Sequence, residues 1–260
     1  MLSMPRGLCC ALALLCASIR PGWAGPDAPY LNVPSGTIAS VLSGGSSDNA
    51  PAPVAAFAMR ERPVTVAEFQ QFTLAHPEWS RARVPAVFAD SNYLHAPDAQ
   101  AGQLPAQAIT NVSWFAAQAY CESEQARLPT WYEWEYVAAA DASHADARKD
   151  PAWRAQILGW YSQPTSQRQL QVGGAPDFYG VQNMHGLIWE WVDDFNALLV
   201  SADSRNQGDP DQLQYCGAGA ISLQDRENFA ILMRVALLSS LSGADSTRDL
   251  GFRCARSTAQ

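Results

Sequence analysis

The spacing of apolar residues, together with the capping residues beside them, predicts three helices. Thr65 and Glu68 are spaced as a capping box, in which the hydroxyl and the carboxylate each accept a backbone N–H at the start of a helix. Phe69 and Phe72 follow at helical spacing, and His76-Pro77 ends this short helix. The other two predicted helices are 114–125, with Ser113 as N-cap, and 131–140, with a second capping box made by Thr130 and Glu133.

Short runs of β-forming residues predict strands between long loops. The predicted strands are 36–42, 57–62, 187–192, 230–238 and 251–256. Residues 81–107 have the composition of a loop, and residues 141–168 are polar without a periodic pattern. The chain has no internal repeat and no alternation of strands with helices. These features predict an irregular, loop-rich α+β fold in a single domain.

The N-terminus has the arrangement of a secretory signal. Arg6 precedes an apolar run at residues 8–18, and small residues stand first and third before a cut after Ala24. A membrane anchor is the alternative, but it needs about 20 apolar residues. The sequence therefore predicts a signal peptide at 1–24, an extended lead-in at 25–54 and one domain at 55–256. The product is expected to be periplasmic or secreted, with no membrane span after cleavage.

Composition and charge narrow the class of protein. The 260 residues are 48% hydrophobic and 16% charged, which suits a chain with a real core and excludes a mostly disordered one. The 25 acidic residues outnumber the 17 basic ones, for a formal charge of -8. A nucleic-acid partner is not expected, because affinity for nucleic acid comes mainly from cations that neutralise phosphates.

The cysteines divide between the signal peptide and the domain. Of the 6 cysteines, three lie in the signal peptide, at positions 9, 10 and 16. Cys121, Cys216 and Cys254 remain after cleavage. In an oxidising compartment these three allow one disulfide and one leftover thiol.

Three blocks in order resemble the formylglycine-generating enzyme, or sulfatase-modifying factor, domain family. They are Asn111-Val112-Ser113-Trp114 through Glu133-Trp134-Glu135-Tyr136, Tyr179-Gly180-Val181 through Trp189-Glu190-Trp191, and Leu250-Gly251-Phe252-Arg253-Cys254. The resemblance covers residues 55–256 and implies an irregular α+β fold related to C-type lectins. It also implies a disulfide between Cys121 and Cys254.

The same resemblance implies two copper(I)-binding cysteines at positions where this chain has none. Copper(I) is soft and prefers thiolate ligands. The expected pair falls near Asp225 and Ala230, yet no cysteine lies between Cys216 and Cys254. Formylglycine generation is therefore not expected. Cys216 is left as a candidate copper-binding or redox thiol, and the alternative is a small buried apolar residue.

A histidine patch is the other candidate catalytic site. Iron-using relatives in the family bind their metal through histidines on an additional domain, and this chain has only 4 scattered histidines. His185, near Glu190, Asp193 and Asp194, is the dense patch of possible ligands. The alternative is that His185 is a loop residue packed on Trp189.

The resemblance also implies a calcium site in the second block. The implied ligands are Asn183, Gly186, Ile188 and Glu190, although Leu187 replaces the asparagine usual at its position. The alternative is that Glu190 is held by buried hydrogen bonds or by Arg253. Arg234 and Arg253 are both expected to pair with carboxylates.

Three functions stay open at this level. Segments such as His76-Pro77-Glu78-Trp79 and residues 184–191 resemble exported members associated with copper nitrite reductases. This implies an accessory or maturation factor whose client is a periplasmic copper or respiratory metalloenzyme. The second hypothesis is a periplasmic metal-dependent oxidase, with copper or iron, acting on a small molecule like the pyoverdine-maturing members. The third is a lectin-like ligand-binding module.

Overall fold

A three-stranded antiparallel sheet joins the first, fourth and last strands of the described chain. The computed structural model describes residues 28–40, 42, 51–95, 105–163, 170–197 and 229–258. The strands are β1 (Tyr30–Val33), β2 (Gly36–Ile38), β3 (Ala52–Val54), β4 (Phe57–Arg60), β5 (Trp189–Glu190), β6 (Leu250–Gly251) and β7 (Ala255–Ser257). The helices are α1 (Val66–Ala75), α2 (Trp114–Ser123), α3 (Trp131–Ala138), α4 (Pro151–Tyr161) and α5 (Phe229–Ser239). Single 3-10 turns lie at Pro77–Trp79 and Phe195–Ala197.

The strands are short and form three small sheets. Strand β4 is buried along its whole length and lies between β1 and β7, antiparallel to both. Strands β2 and β3 form an antiparallel pair, and β5 and β6 pair in parallel through two residues each. Loops connect most of these elements, so the α+β, loop-rich architecture expected from the sequence is the observed one. No helix in the described part of the chain is both long and apolar enough to cross a membrane.

The three helices predicted from capping residues are confirmed. Both capping boxes are formed: the Thr65 side chain accepts from the Glu68 backbone N–H, and Thr130 does the same for Glu133. The Ser113 side chain accepts from the Ala116 N–H and caps α2. The helices α2 and α3 each end two residues before the predicted end, because a sequence pattern marks the start of a helix better than its end.

The predicted strand at 230–238 is wrong: this segment lies in the helix α5. Its buried residues are Ala230, Ile231, Arg234, Val235 and Leu238. Their spacing follows one face of an α-helix and does not alternate as the faces of a strand do. A short apolar run is compatible with either structure, and here packing against the core selects the helix.

Helix α4 lies in the polar segment 141–168, for which the sequence predicted no regular structure. Its start is marked by Asp150, whose side chain accepts from the Ala152 N–H, and by Pro151 in the first turn. Ile157 is its one buried residue. Because so little of this helix faces the core, its sequence has no apolar periodicity from which a helix could be predicted.

The N-terminal lead-in contributes strands to the domain. Strands β1, β2 and β3 all begin within residues 25–54, and β1 pairs with β4 from Tyr30–Arg60 to Val33–Phe57. This segment therefore shares backbone hydrogen bonds with the core instead of preceding it. The predicted signal peptide, residues 1–24, lies outside the described residues.

The core is tied together by a disulfide between α2 and the last block of the chain. Cys121 and Cys254 are bonded and fully buried, as the family resemblance implied. Phe69 and Phe252 pack on Tyr120, the neighbour of Cys121 in the chain, each with its ring centroid within 6 Å of the Tyr120 ring centroid. The bridge thus joins a helix, the last block and the aromatic centre of the core.

Beside it, a buried ion-pair network joins β4 to α1 and α2. The Arg60 guanidinium lies 2.6 Å from a Glu68 oxygen and 2.6 Å from a Glu124 oxygen. Tyr30 and Tyr120 each donate a hydroxyl hydrogen bond to Glu124. Because Glu68 also completes the capping box of α1, one side chain joins the start of the helix to the ion pair.

Replacing both Cys121 and Cys254 with alanine is expected to lower the free energy of unfolding by about 2–5 kcal/mol. The sequence separation of 133 residues makes the closed loop long, and a long loop gives the unfolded chain much more freedom once the bridge is gone. Urea unfolding of the double variant measures the loss. The matched control is Cys216→Ala; an equal loss in that variant would contradict the assignment.

Candidate functional site

The candidate residues of the second block come together at one turn. The backbone turns sharply at Asn183 and Gly186, which have φ angles of 60° and 83°. A Cβ atom on Gly186 would lie 2.9 Å from the Trp160 ring, so both the backbone conformation and the packing of α4 require glycine there. The turn places His185 under α4 and leads into β5, which carries Glu190.

Glu190 is the fully buried carboxylate at the centre of this site. Its two oxygens each lie 2.8 Å from an Arg253 nitrogen, which makes a bidentate ion pair. The Trp134 indole N–H donates to the same carboxylate at 2.9 Å. Arg253 also donates to the main-chain oxygens of Gln182 and Asn183, both at 3.1 Å. These contacts match the alternative in which Arg253 holds Glu190.

The residues suggested as calcium ligands do not fit a calcium ion in this arrangement. A calcium ion takes six to eight oxygen ligands, but both Glu190 oxygens already accept hydrogen bonds from a guanidinium. The Asn183 side-chain oxygen already accepts a hydrogen bond from the Gly173 N–H at 2.9 Å. Gly186 and Ile188 would supply only main-chain oxygens.

His185 is partly buried and both of its ring nitrogens have partners. Nε2 lies 2.7 Å from the Ala138 carbonyl oxygen and Nδ1 lies 3.3 Å from the Tyr161 hydroxyl. This places the proton on Nε2 and makes Nδ1 the acceptor. Burial lowers the pKa of His185 to about 4, helped by the positive charge of Arg234. His185 is therefore neutral at physiological pH.

The rings around His185 differ from the sequence interpretation. Three aromatic rings meet the imidazole edge-on, those of Trp134, Trp153 and Tyr161, with centroids 5.7–6.2 Å away. Trp189, suggested as its packing partner, stacks instead on Tyr161 at 4.8 Å. Helix α4 supplies two of these rings, and the sequence did not predict α4.

Arg234 occupies the space between α5 and this site. Its guanidinium carbon lies 3.6 Å from the centroid of the Trp134 ring, and it donates to the main-chain oxygen of Glu190. Burial lowers its pKa to about 10. The sequence predicted a carboxylate partner for both Arg234 and Arg253: Arg253 has one, and Arg234 has an aromatic face and a carbonyl.

A partly open cavity adjoins His185, between α3, α4 and α5. The space inside it is small, about 20 Å³. Most of its lining is apolar, and the polar residues are His185, Glu135, Arg148 and Arg154. Sequence reasoning missed this cavity because α4 and α5, which form two of its walls, were not predicted.

Cys216, the other catalytic candidate, lies outside the described residues. Within the ranges that are described, no three His, Cys, Asp or Glu side chains are grouped so that they could hold a metal ion. Asp194 accepts a hydrogen bond from the backbone N–H of Trp131, so it belongs to the start of α3 and not to a cluster with His185.

Substituting His185 is expected to make stability less sensitive to acid. The unfolded imidazole has a pKa of about 6.5 and the folded one about 4, so stability is complete above pH 6.5 and falls as the pH drops towards 4. The loss is at most about 1.4 kcal/mol per pH unit. Thermal unfolding of His185→Gln from pH 7 to 4 should show a shallower fall. The exposed His144→Gln is the control and should not flatten the profile.

Breaking the buried ion pair on one side is expected to cost more than removing both partners. Arg253→Met leaves a buried carboxylate without its cation and should cost about 3–5 kcal/mol. Adding Glu190→Gln should recover part of this loss.

Calcium and a chelator should leave the Tm of the parent protein unchanged. A calcium-dependent rise in Tm that Glu190→Gln abolishes would instead place calcium here.

Comparison with known proteins places most of this chain in one domain family. The profile of the sulfatase-modifying factor enzyme 1-like domain matches residues 28–258. The formylglycine-generating enzyme of Bos taurus is 27% identical over 214 residues, covering 72% of this chain and 53% of that protein. That of Streptomyces coelicolor is 31% identical over 170 residues, covering 58% and 53%. The chain thus spans about half the length of these relatives.

A shorter match and two solved structures complete the comparison. The hercynine oxygenase of Mycobacterium tuberculosis is 34% identical over 89 residues, which is 32% of this chain and 21% of that protein. PvdO from Pseudomonas aeruginosa aligns with a TM-score of 0.47 and 17% identity, covering 88% of this chain and 94% of that one. Treponema denticola variable protein 1 aligns with a TM-score of 0.45 and 16% identity, covering 88% and 95%. With the family profile spanning residues 28–258, the chain belongs to the sulfatase-modifying factor enzyme 1-like domain family.

Proposed function

We propose that this chain is an exported accessory domain on the sulfatase-modifying factor scaffold and that it does not generate formylglycine by two-thiolate copper chemistry. The disulfide between Cys121 and Cys254 carries this proposal. Three cysteines follow the predicted signal peptide, and the bridge uses two of them. Only Cys216 remains as a thiol in the processed chain.

One thiol is insufficient for that chemistry. Copper(I) held between two thiolates needs two free cysteines close together, and a disulfide sulfur is not a thiolate. Recruiting Cys121 or Cys254 would require breaking a fully buried bridge that closes a very long loop. A second thiolate would therefore cost the domain the stability that the bridge supplies.

The accessory role rests on the export signal and on the family branch that the sequence resembles. The proposed client is a periplasmic copper or respiratory metalloenzyme, which the chain would help to mature. The site supports a binding role because its carboxylate and its histidine are both engaged within the protein. Neither group is left poised as an acid or a base.

A periplasmic metal-dependent oxidase acting on a small molecule is the second candidate. The 34% identity to hercynine oxygenase over 89 residues favours it. In this case Cys216 or His185 would contribute to a copper or iron centre. His185 fits such a centre poorly in the described arrangement, because a metal would have to displace the Ala138 carbonyl or the Tyr161 hydroxyl.

Purified protein should not convert a cysteine-containing sulfatase peptide to formylglycine in the presence of copper(I) and oxygen. The aldehyde product is trapped as a hydrazone and detected by mass spectrometry, with the Streptomyces coelicolor enzyme as the positive control. Product formation that Cys216→Ser abolishes would overturn the proposal.

Metal analysis of the same preparation separates the two candidates. The accessory domain should carry no stoichiometric redox-active copper or iron. Stoichiometric metal that is lost in Cys216→Ser or His185→Gln would favour the oxidase. For the accessory role, deletion of the gene should lower the copper content of the exported client, and the parent chain should restore it.

A further inference from the structure

Residues 177–181 form a tight turn that Asp177 closes with both its main chain and its side chain. The Asp177 N–H donates to the Val181 carbonyl oxygen at 2.8 Å, and the Gly180 N–H donates to the Asp177 carbonyl oxygen at 2.9 Å. The carboxylate oxygen Oδ1 accepts from the N–H groups of Tyr179 and Val181, at 2.8 and 2.9 Å. The Asp177 carboxylate thus holds the turn together as much as its main chain does.

The second oxygen of the same carboxylate has no partner. Oδ2 of Asp177 is buried and, within the described residues, accepts no hydrogen bond. A buried carboxylate oxygen without a donor costs free energy, and a proton on the carboxyl group removes the charge that causes most of this cost. Burial accordingly raises the pKa of Asp177 to about 6 from an ordinary value of 3.8, although the two N–H donors and the charge of Arg253 act in the opposite direction. The closed turn therefore suits the protonated carboxyl group better than the carboxylate.

The elements packed against the turn carry charges but do not supply the missing donor. The Phe178 N–H donates to the Asp141 carbonyl oxygen, and the Tyr179 and Tyr136 ring centroids lie 5.6 Å apart. From β1, the apolar Leu31 side chain lies against Gly180. The titratable or charged groups that these neighbours and the adjoining segments bring near the turn are Tyr136, Asp141, His144, Asp146, Glu61 and Arg253. Arg253 is already paired with Glu190.

The turn leads directly into the residues that surround Arg253. The Gln182 N–H donates to the Glu61 carbonyl oxygen at 2.7 Å. The carbonyl oxygens of Gln182 and Asn183 both accept from Arg253 at 3.1 Å. Opening of the turn therefore weakens the support of two carbonyl groups that hold this buried guanidinium.

We propose that Asp177 is a proton-dependent switch of this turn. With a proton on its carboxyl group, the turn stays closed and keeps the Gln182 and Asn183 carbonyls on Arg253. Without that proton, the turn opens more often and water reaches Oδ2. Because the carboxyl group binds its proton more tightly in the closed turn than in the open one, closing becomes more favourable as the pH falls through 6 and reaches its full extent below 3.8. The switch does not depend on the function proposed above.

Amide hydrogen exchange at Tyr179, Gly180 and Val181 measures how often the turn opens. Their protection, corrected for the intrinsic pH dependence of exchange, should rise about ten-fold from pH 7 to pH 5, as the two pKa values of Asp177 require. The Tm is not a substitute, because His185 changes the stability of the whole domain in the opposite direction. Protection that is equal at both pH values, or that falls in acid, would overturn the proposal.

Two substitutions of Asp177 separate the switch from a purely structural role. In Asp177→Asn the side-chain oxygen can accept the same two N–H groups and stays neutral, so protection should be high and equal at both pH values. Asp177→Ala removes both hydrogen bonds, so protection should be low and equal at both. A ten-fold change that persists in Asp177→Asn would show that another group controls the turn.

His144→Gln and Asp146→Asn are the matched controls, because they remove the other groups that titrate beside the turn. Both variants should keep the ten-fold change in protection, and its loss in either one would overturn the assignment to Asp177. The carboxyl carbon NMR signal that is absent from Asp177→Asn should titrate with a midpoint near 6 in the parent protein. A midpoint near the ordinary value of 3.8 would also contradict the switch.

Discussion

The final block of the chain, residues 250–257, holds together regions that otherwise share little regular structure. Its first part is β6, which pairs with β5, and its last part is β7, which pairs with β4. Between the two strands, Phe252 accepts a backbone hydrogen bond from Val64, Arg253 pairs with Glu190, and Cys254 is bonded to Cys121. Because no described strand exceeds four residues, pairing alone would be marginal, and these side-chain links supply the missing connections. A Cβ atom at Gly251 would lie 2.1 Å from the Ile109 carbonyl oxygen. Only glycine therefore lets this block pack so closely against the backbone at Ile109.

Three buried arginines show how a loop-rich core accommodates charge. Arg60 pairs with two carboxylates. Arg253 pairs with one carboxylate and donates to three main-chain carbonyls, and Arg234 lies on a tryptophan face and donates to a carbonyl. A buried charge is costly unless it is paired and hydrogen-bonded, so each of these guanidinium groups demands a defined arrangement around it. In this domain the arginines thus restrict the conformation of the surrounding loops. The same restriction commits Glu190 to Arg253.

The success of sequence prediction varied with the range of the interactions involved. The capping boxes at Thr65 and Thr130 were predictable because each lies within four residues of chain. Helix α5 was mistaken for a strand because its apolar run does not reveal which face meets the core. Helix α4 was missed because a single buried residue leaves no period to detect. With both helices absent from the prediction, the cavity that they enclose with α3 was also out of reach.

The sequence by itself determined the starts of three helices, the number of cysteines and the family resemblance, from which the Cys121–Cys254 pairing followed. These features are local or can be counted, so they can be established without knowledge of the fold. Only the tertiary structure decided that Glu190 faces Arg253, that His185 is neutral among aromatic rings, and that α4 covers a cavity. The reason is physical: the partner of a buried charge, and the pKa of a buried imidazole, depend on which distant segments surround them.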